Sequence, residues 1–124
     1  MSEDRHLPRA APIEAYGNGG FRFDGMSHRG SLLCLPNGVW ASSVSKASEI
    51  DEQALAKVFE NASAIKHCLI GTGTDLVVIP KPLRQKLRDS GIAVETMATG
   101  AAVRTYNILM GEDRPVAALL IAVD

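Results

Sequence analysis

The spacing of apolar residues along this chain changes near Ser48, and the two sides of that change predict different structures. Before it, short apolar runs in YGNGGFRFDGMSHRGSLLCLPNGVWAS are punctuated by Asp24-Gly25 and Asn37-Gly38. Each dipeptide, set between apolar or alternating residues, signals a two-residue hairpin turn. Three or four antiparallel strands are therefore expected in the first third. Phe21 and Phe23 fall on one face of their strand and Arg22 on the other, so this hairpin should have a dry side and a wet side.

From Ser48 onward the period is helical. Ser48 with Asp51 forms a capping-box-like start, and Ile50, Leu55, Val58, Phe59, Ala62 and Ile65 recur at helical spacing, which predicts an amphipathic helix over about 49–64. HCLIG at 67–71 is a continuous apolar run of strand length, the pattern of a strand covered on both faces. Pro82 suits a helix start, Leu83 and Leu87 supply its apolar side, and Ser90-Gly91 its end. IAVE at 92–95 reads as a second interior strand. Thr99 is a plausible cap for a helix over about 99–110 whose packed side holds Ala102, Val103, Tyr106, Leu109 and Met110, and Gly111 stops it. VAALLIAV at 116–123 is a third buried strand. Hairpins followed by helix, strand, helix, strand, helix, strand argue for α/β layers with an antiparallel attachment. Residues 1–11, polar and aperiodic, read as a loose, flexible tail, leaving 12–124 as a single domain.

Composition narrows the function classes. The chain has 124 residues, 46% apolar and 22% charged, which suits one globular core. Thirteen basic against fourteen acidic side chains leave a formal charge of −1, which supplies no field to attract nucleic acid. Cys34 and Cys68 sit in apolar runs without CxxC spacing and read as buried free thiols. The first residues lack a secretory h-region, and no apolar run approaches the roughly 18 residues of a membrane span. A soluble, cytoplasmic protein is the expectation.

LIGTGTD at 69–75 resembles a strand feeding a phosphate-cradling loop. Such a loop needs a helix that begins at once and points its free amides at the anion. Here LVVIP follows and postpones the helix to about residue 81, and Asp75 adds a negative charge. A tight turn over Gly71, Thr72 and Gly73 is the simpler reading. The better anion candidate lies one strand later, where the first helical turn carries Thr99, Gly100 and Ala101. If the two strands are parallel, both loops leave the same sheet edge and frame a crevice of the kind in which open α/β sheets bind ligands. The competing reading is that Thr99 caps its helix and the glycine permits close packing. Arg104, Tyr106 and Asn107 extend the candidate ligand-binding set. Asn107 falls on an otherwise apolar side of its helix and must find partners, in a ligand or in a neighbouring loop.

No catalytic constellation assembles from these residues. His67 and Cys68 are adjacent in a strand and point to opposite faces. His28 and Cys34 would be about 20 Å apart along one strand. His6, His28 and His67 lack metal-ligand spacing, and His28 reads as a surface hairpin residue. No metal or cofactor is expected. Lys81, Arg84, Lys86 and Arg88 give one helix a basic side opposed only by Asp89, which is either a solvated face or a dock for an acidic partner or an anionic membrane.

YGNGGFRFDG, HRGSLLCLPNGV with a Trp, LIGTG, GIAVETMATGAAVRTYN and the closing VAALLIAV together resemble a small single-domain family of unknown function. Its eukaryotic relatives include the mitochondrial assembly factor 3 of respiratory complex I and an adipogenesis-associated protein. The most specific piece is Glu95-Thr96-Met97, Thr99, Ala101-Ala102 and Arg104-Thr105-Tyr106-Asn107. The resemblance implies an α/β fold of three layers: a mixed central sheet with one antiparallel strand, helices packed on it, and an N-terminal β-hairpin layer. It also implies a non-enzymatic, assembly-factor-like role through binding other proteins, such as respiratory-complex subunits or assembly proteins, with a homodimer open. A small-molecule or anion-binding module using the loops after 67–71 and 92–95 is the alternative.

Overall fold

Continuous apolar runs place a six-stranded sheet at the centre of the molecule, with each face covered by a different layer. The computed structural model describes residues 5–124. The strands are β1 (Arg5–Leu7), β2 (Ile13–Gly17), β3 (Gly20–Phe23), β4 (Met26–Arg29), β5 (Ser31–Leu35), β6 (Gly38–Ser42), β7 (His67–Gly71), β8 (Ala93–Met97) and β9 (Val116–Leu120). The helices are α1 (Ala56–Glu60), α2 (Lys81–Asp89) and α3 (Thr99–Gly111). The large sheet has the order β1-β6-β5-β9-β7-β8, and β2-β3-β4 form a separate three-stranded sheet. β7 pairs in parallel with β8 and β9, whereas β5 pairs antiparallel with β9 and β6. The sheet is thus mixed, and its antiparallel part comprises β5, β6 and β1, more than the one strand implied by resemblance.

Successive strand residues point to opposite faces. One face presents Leu33, Leu35, Cys68, Ile70 and Leu119 to a layer holding Ile50, Leu55, Val58, Leu83 and Leu87. The other presents Leu32, Cys34, Leu69, Ala118 and Leu120 to α3 and to Phe21 and Phe23 of the hairpin sheet. Both thiols are buried and free, and loss of hydration pushes each up to about 12, so neither is a thiolate near neutrality.

Several local expectations change. Residues 1–4 of the expected tail lie outside the described residues. Arg5–Leu7, however, is a strand paired with β6, and Leu7 and Ala11 are buried. That short apolar contribution is too sparse to show periodicity. The second hairpin turns at Pro36-Asn37, with Gly38 already in β6 opposite Leu35. A Cβ at Gly38 would lie 2.6 Å from the Leu7 carbonyl oxygen, so glycine there permits β1 to approach. Asn18-Gly19 makes a further two-residue turn, both residues having positive φ, as does Asp24-Gly25.

The helix expected over 49–64 is broken into a 3-10 turn at Ala47–Glu49, α1, and a second 3-10 turn at Ala62–Ala64. Ile50, Leu55, Val58 and Ile65 are nevertheless buried where the period places them, with Phe59 and Ala62 partly buried against the same core. Polar side chains compete for the backbone: Ser45 N–H donates to Glu49, Ala54 N–H to Asp51 Oδ1, and the Asn61 amide to the Lys57 carbonyl. β8 is an edge strand with partly exposed residues, not an interior one. None of the described helices is long and apolar enough to cross a membrane.

Candidate functional site

Parallel pairing of β7 with β8 brings the loops after them to one edge of the sheet, with Gly71 opposite Met97. Gly71, Thr72, Gly73 and Thr99 therefore meet, as the spacing predicted. Thr72 and Gly73 line an open pocket of about 540 Å³ there with Val77 and Ile121, and Thr99 is tied to Gly73 and Ile121 by hydrogen bonds. Thr99 N–H donates to the Gly73 carbonyl at 2.8 Å, and Gly73 N–H donates to Thr99 Oγ1 at 2.9 Å. The same hydroxyl donates to the Ile121 carbonyl at 2.7 Å. Thr99 is fully buried and its side chain does not cap α3; it latches α3, the β7 loop and the end of β9 together.

Thr72 organises the rest of the turn. Its Oγ1 lies 2.7 Å from the Asp75 carbonyl oxygen and accepts from Val77 N–H at 3.0 Å. At Gly71 a Cβ would stand 3.0 Å from Thr99 Cα and 3.1 Å from Ala102 Cβ, which explains the small residue at the end of β7. Gly73 and Thr99 thus bind each other, while Thr72 is held by Asp75, Val77 and Met97.

The remaining predicted residues divide. Tyr106 is fully buried against Cys34; its hydroxyl donates to the Ala11 carbonyl at 3.2 Å, and burial pushes its phenol well above the usual range. Asn107 does what its place on an apolar face required. It accepts from Ile13 N–H and donates to the Ile13 carbonyl, both at 2.8 Å, so its amide imitates a neighbouring strand along the free edge of β2. Gly100 lies under Tyr16, whose hydroxyl would be 2.4 Å from a Cβ built there.

An open groove of about 410 Å³ runs between β2 and α3, lined by Glu14, Tyr16, Gly100, Val103, Arg104 and Asn107 among others. Arg104 is exposed, Tyr16 is 47% exposed, and Ile108, one turn beyond Arg104, is 56% exposed. Gly100, Arg104 and Asn107 thus line this groove, while Thr72 and Gly73 line a separate open pocket and Gly71 and Thr99 are buried. Tyr16 was not anticipated, although an aromatic residue beside a Gly-Asn-Gly turn is a recognisable signal for an exposed contact.

The histidines also surprise. His6 Nε2 and His28 Nδ1 are 3.0 Å apart, and His28 Nε2 is 3.1 Å from the Ser31 carbonyl oxygen. His28 is therefore half of a pair linking β1 to the hairpin sheet. Partial burial lowers its pKa, the Ser31 carbonyl opposes that, and the neighbouring His6 lowers it further. Nothing in the spacing could reveal this, because the pair depends on β1 adding to the far side of β6. Among the described residues, no group of three or more His, Cys, Asp or Glu side chains is placed to hold a metal ion, and no buried side-chain nitrogen or oxygen lacks a partner.

Known proteins share this arrangement. A crystal structure described as an outer membrane protein from Bartonella henselae matches with a TM-score of 0.92 at 49% identity, covering 96% of this chain and 100% of that one. The NMR structure of a Rhodopseudomonas palustris protein matches with a TM-score of 0.85 at 54% identity, covering 99% and 91%. Among curated relatives, the Rattus norvegicus NADH dehydrogenase (ubiquinone) 1 alpha subcomplex assembly factor 3 is 31% identical over 115 residues. That match covers 93% of this chain and 62% of the factor, so this chain spans less than two thirds of the factor's length. Residues 13–121 match the model of a family described as a protein of unknown function (DUF498/DUF598), and the chain belongs to that family.

Proposed function

We propose that this chain is a non-enzymatic protein-binding module of the assembly-factor kind, acting from the cytoplasm on subunits or assembly proteins of a respiratory NADH dehydrogenase. The observation that carries the reading is the groove between β2 and α3. It is open, and it is bordered by an exposed Tyr and Arg with an exposed Ile one turn away. Tyr and Arg are enriched among residues that dominate protein–protein affinity. At the strand ends, by contrast, the Thr99 amide and hydroxyl are already engaged by Gly73 and Ile121, which supports a partner at the β2–α3 groove over an anion held by those groups. Similarity to an NADH dehydrogenase assembly factor suggests the class of partner.

A double substitution, Tyr16→Ala with Arg104→Glu, tests the reading. Both side chains are exposed, Tyr16 at 47%, so the variant should keep its melting temperature. Tagged wild-type protein should co-purify NADH dehydrogenase subunits from the native host, and the variant should not. Equal recovery, or recovery of no such subunit by either, would remove the proposal. Cell fractionation tests the location separately.

The second reading, an anion-binding module, is favoured by one observation: exposed Arg104 stands beside Gly100 at the start of α3. Thermal stabilisation by inorganic phosphate or a carboxylate metabolite that disappears in Arg104→Ala would favour it over protein binding.

A further inference from the structure

The loop between β7 and α2 exposes three consecutive aliphatic residues: Leu76 at 58%, Val77 at 44% and Val78 at 64%. Isolated exposed apolar residues are ordinary, but a contiguous apolar projection is not. Neighbouring residues of a non-helical segment point in different directions, so exposure of all three leaves more than one side of this loop apolar and uncovered. A flat protein partner would cover one side; a lipid interface surrounds the whole projection.

The adjoining helix supplies the charge such an interface needs. Leu83 and Leu87 bury one side of α2. Lys81, Arg84 and Arg88, three and four residues apart, share a stripe on its outer surface. Lys86 is used elsewhere, 2.6 Å from Glu52 and above the Phe59 ring. Lys81 and Arg88 enter no ion pair among the described residues. Arg84 Nε donates to the Ile79 carbonyl at 3.2 Å, which fastens the basic stripe to the root of the apolar loop. Val78 and Lys81 are three positions apart, at most about 11 Å of chain, so loop and stripe fall within one footprint. The chain as a whole carries −1, which makes this cluster a local reversal of sign.

We propose that the 76–78 loop and the Lys81–Arg84–Arg88 stripe form a peripheral docking surface for an anionic lipid bilayer, with the aliphatic tip entering the headgroup boundary and the basic side chains facing lipid phosphates. Attraction of this kind needs both arms, because neither three aliphatic residues nor three cations alone gives stable anchoring. The surface lies on the layer formed by α1 and α2, away from the β2–α3 groove, and does not depend on the protein-binding reading.

Co-sedimentation with phosphatidylcholine vesicles, with and without phosphatidylglycerol, tests it on the full chain. The protein should pellet with the anionic vesicles and stay in the supernatant with the neutral ones. Raising the salt concentration should release it. Lys81→Gln with Arg88→Gln should lower the partition coefficient on the order of 25-fold, at about fivefold per basic residue. Leu76→Asn with Val78→Asn should also abolish pelleting while leaving the circular dichroism spectrum and melting temperature unchanged, since those side chains are mostly exposed. Failure to pellet with anionic vesicles overturns the proposal. So does pelleting that ignores the Leu76/Val78 substitutions, or binding to poly-glutamate as tight as to the vesicles, which would assign the stripe to acidic proteins.

Discussion

Thr99→Val removes one hydroxyl from the latch at the carboxyl edge of the sheet and keeps its shape. The hydroxyl serves two backbone groups at once, accepting from Gly73 N–H at 2.9 Å and donating to the Ile121 carbonyl at 2.7 Å, inside a fully buried side chain. Valine leaves both groups without a partner. A buried polar group left unpaired costs about 1–3 kcal/mol, so two of them set a range of about 2–6 kcal/mol. Gly73 is followed by the exposed Thr74, which lets water reach its amide after a small shift, and about 2–4 kcal/mol remains. Thr99→Ser is the control, because it keeps both hydrogen bonds and loses only a methyl group, at about 1 kcal/mol. Urea unfolding followed by far-ultraviolet circular dichroism measures both variants. The midpoint should fall further for Thr99→Val than for Thr99→Ser, with the denaturant slope unchanged. If the two variants unfold within about 0.5 kcal/mol of one another, the hydroxyl is not the tie that holds this edge.

Three further outcomes follow from the same geometry. Asn107→Ala should cost about 1–2 kcal/mol and speed amide exchange at Ile13, whose N–H it accepts; unchanged exchange would mean β2 is held otherwise. Gly100→Ala should leave stability equal or raise it by up to about 1 kcal/mol, since alanine favours a helix and the obstructing atom is the end of a movable Tyr16 side chain. Its effect should appear as lost partner recovery, and a large fall in melting temperature would contradict this. His28 has its pKa lowered by burial, so the unfolded chain binds the proton more readily; its contribution to stability is present above the ordinary value of about 6.5 and is lost as pH falls below it. The acid-side fall in melting temperature should be smaller in His28→Gln than in the wild type, and identical pH profiles would rule out the pair as a titrating element.

How far the sequence could be read depended on the range of the interaction involved. HCLIG and the helix at 81–89 follow from local period and punctuation and are found within a residue or two of their expected places, while the closing strand expected over 116–123 begins at Val116 but ends at Leu120. Asn107 was legible as a buried amide in need of partners, because helical spacing alone sets its face. Its actual partner, the edge of β2, is 94 residues away and left no local trace. The same holds for Thr99: a Thr at a helix start reads as a cap until Ile121 and Gly73 arrive from other strands. The 49–64 segment failed for the opposite reason. Its apolar period is correct, but Glu49, Asp51 and Asn61 offer the backbone nearer hydrogen bonds than a continuous helix would. β1 and the His6–His28 contact were invisible because three residues cannot display a period. The groove was half legible, through Gly100, Arg104 and Asn107, and lacked the wall that Tyr16 brings from the hairpin sheet.

We propose that the β2–α3 groove, and not the crevice at the strand ends, is where this protein meets its partner. The most direct test is quantitative affinity capture from the native host with wild type, Tyr16→Ala/Arg104→Glu, and Thr72→Ser as a control at the strand-end turn. NADH dehydrogenase subunits should be recovered with wild type and with Thr72→Ser and lost with the groove variant. Full recovery with the groove variant would contradict it.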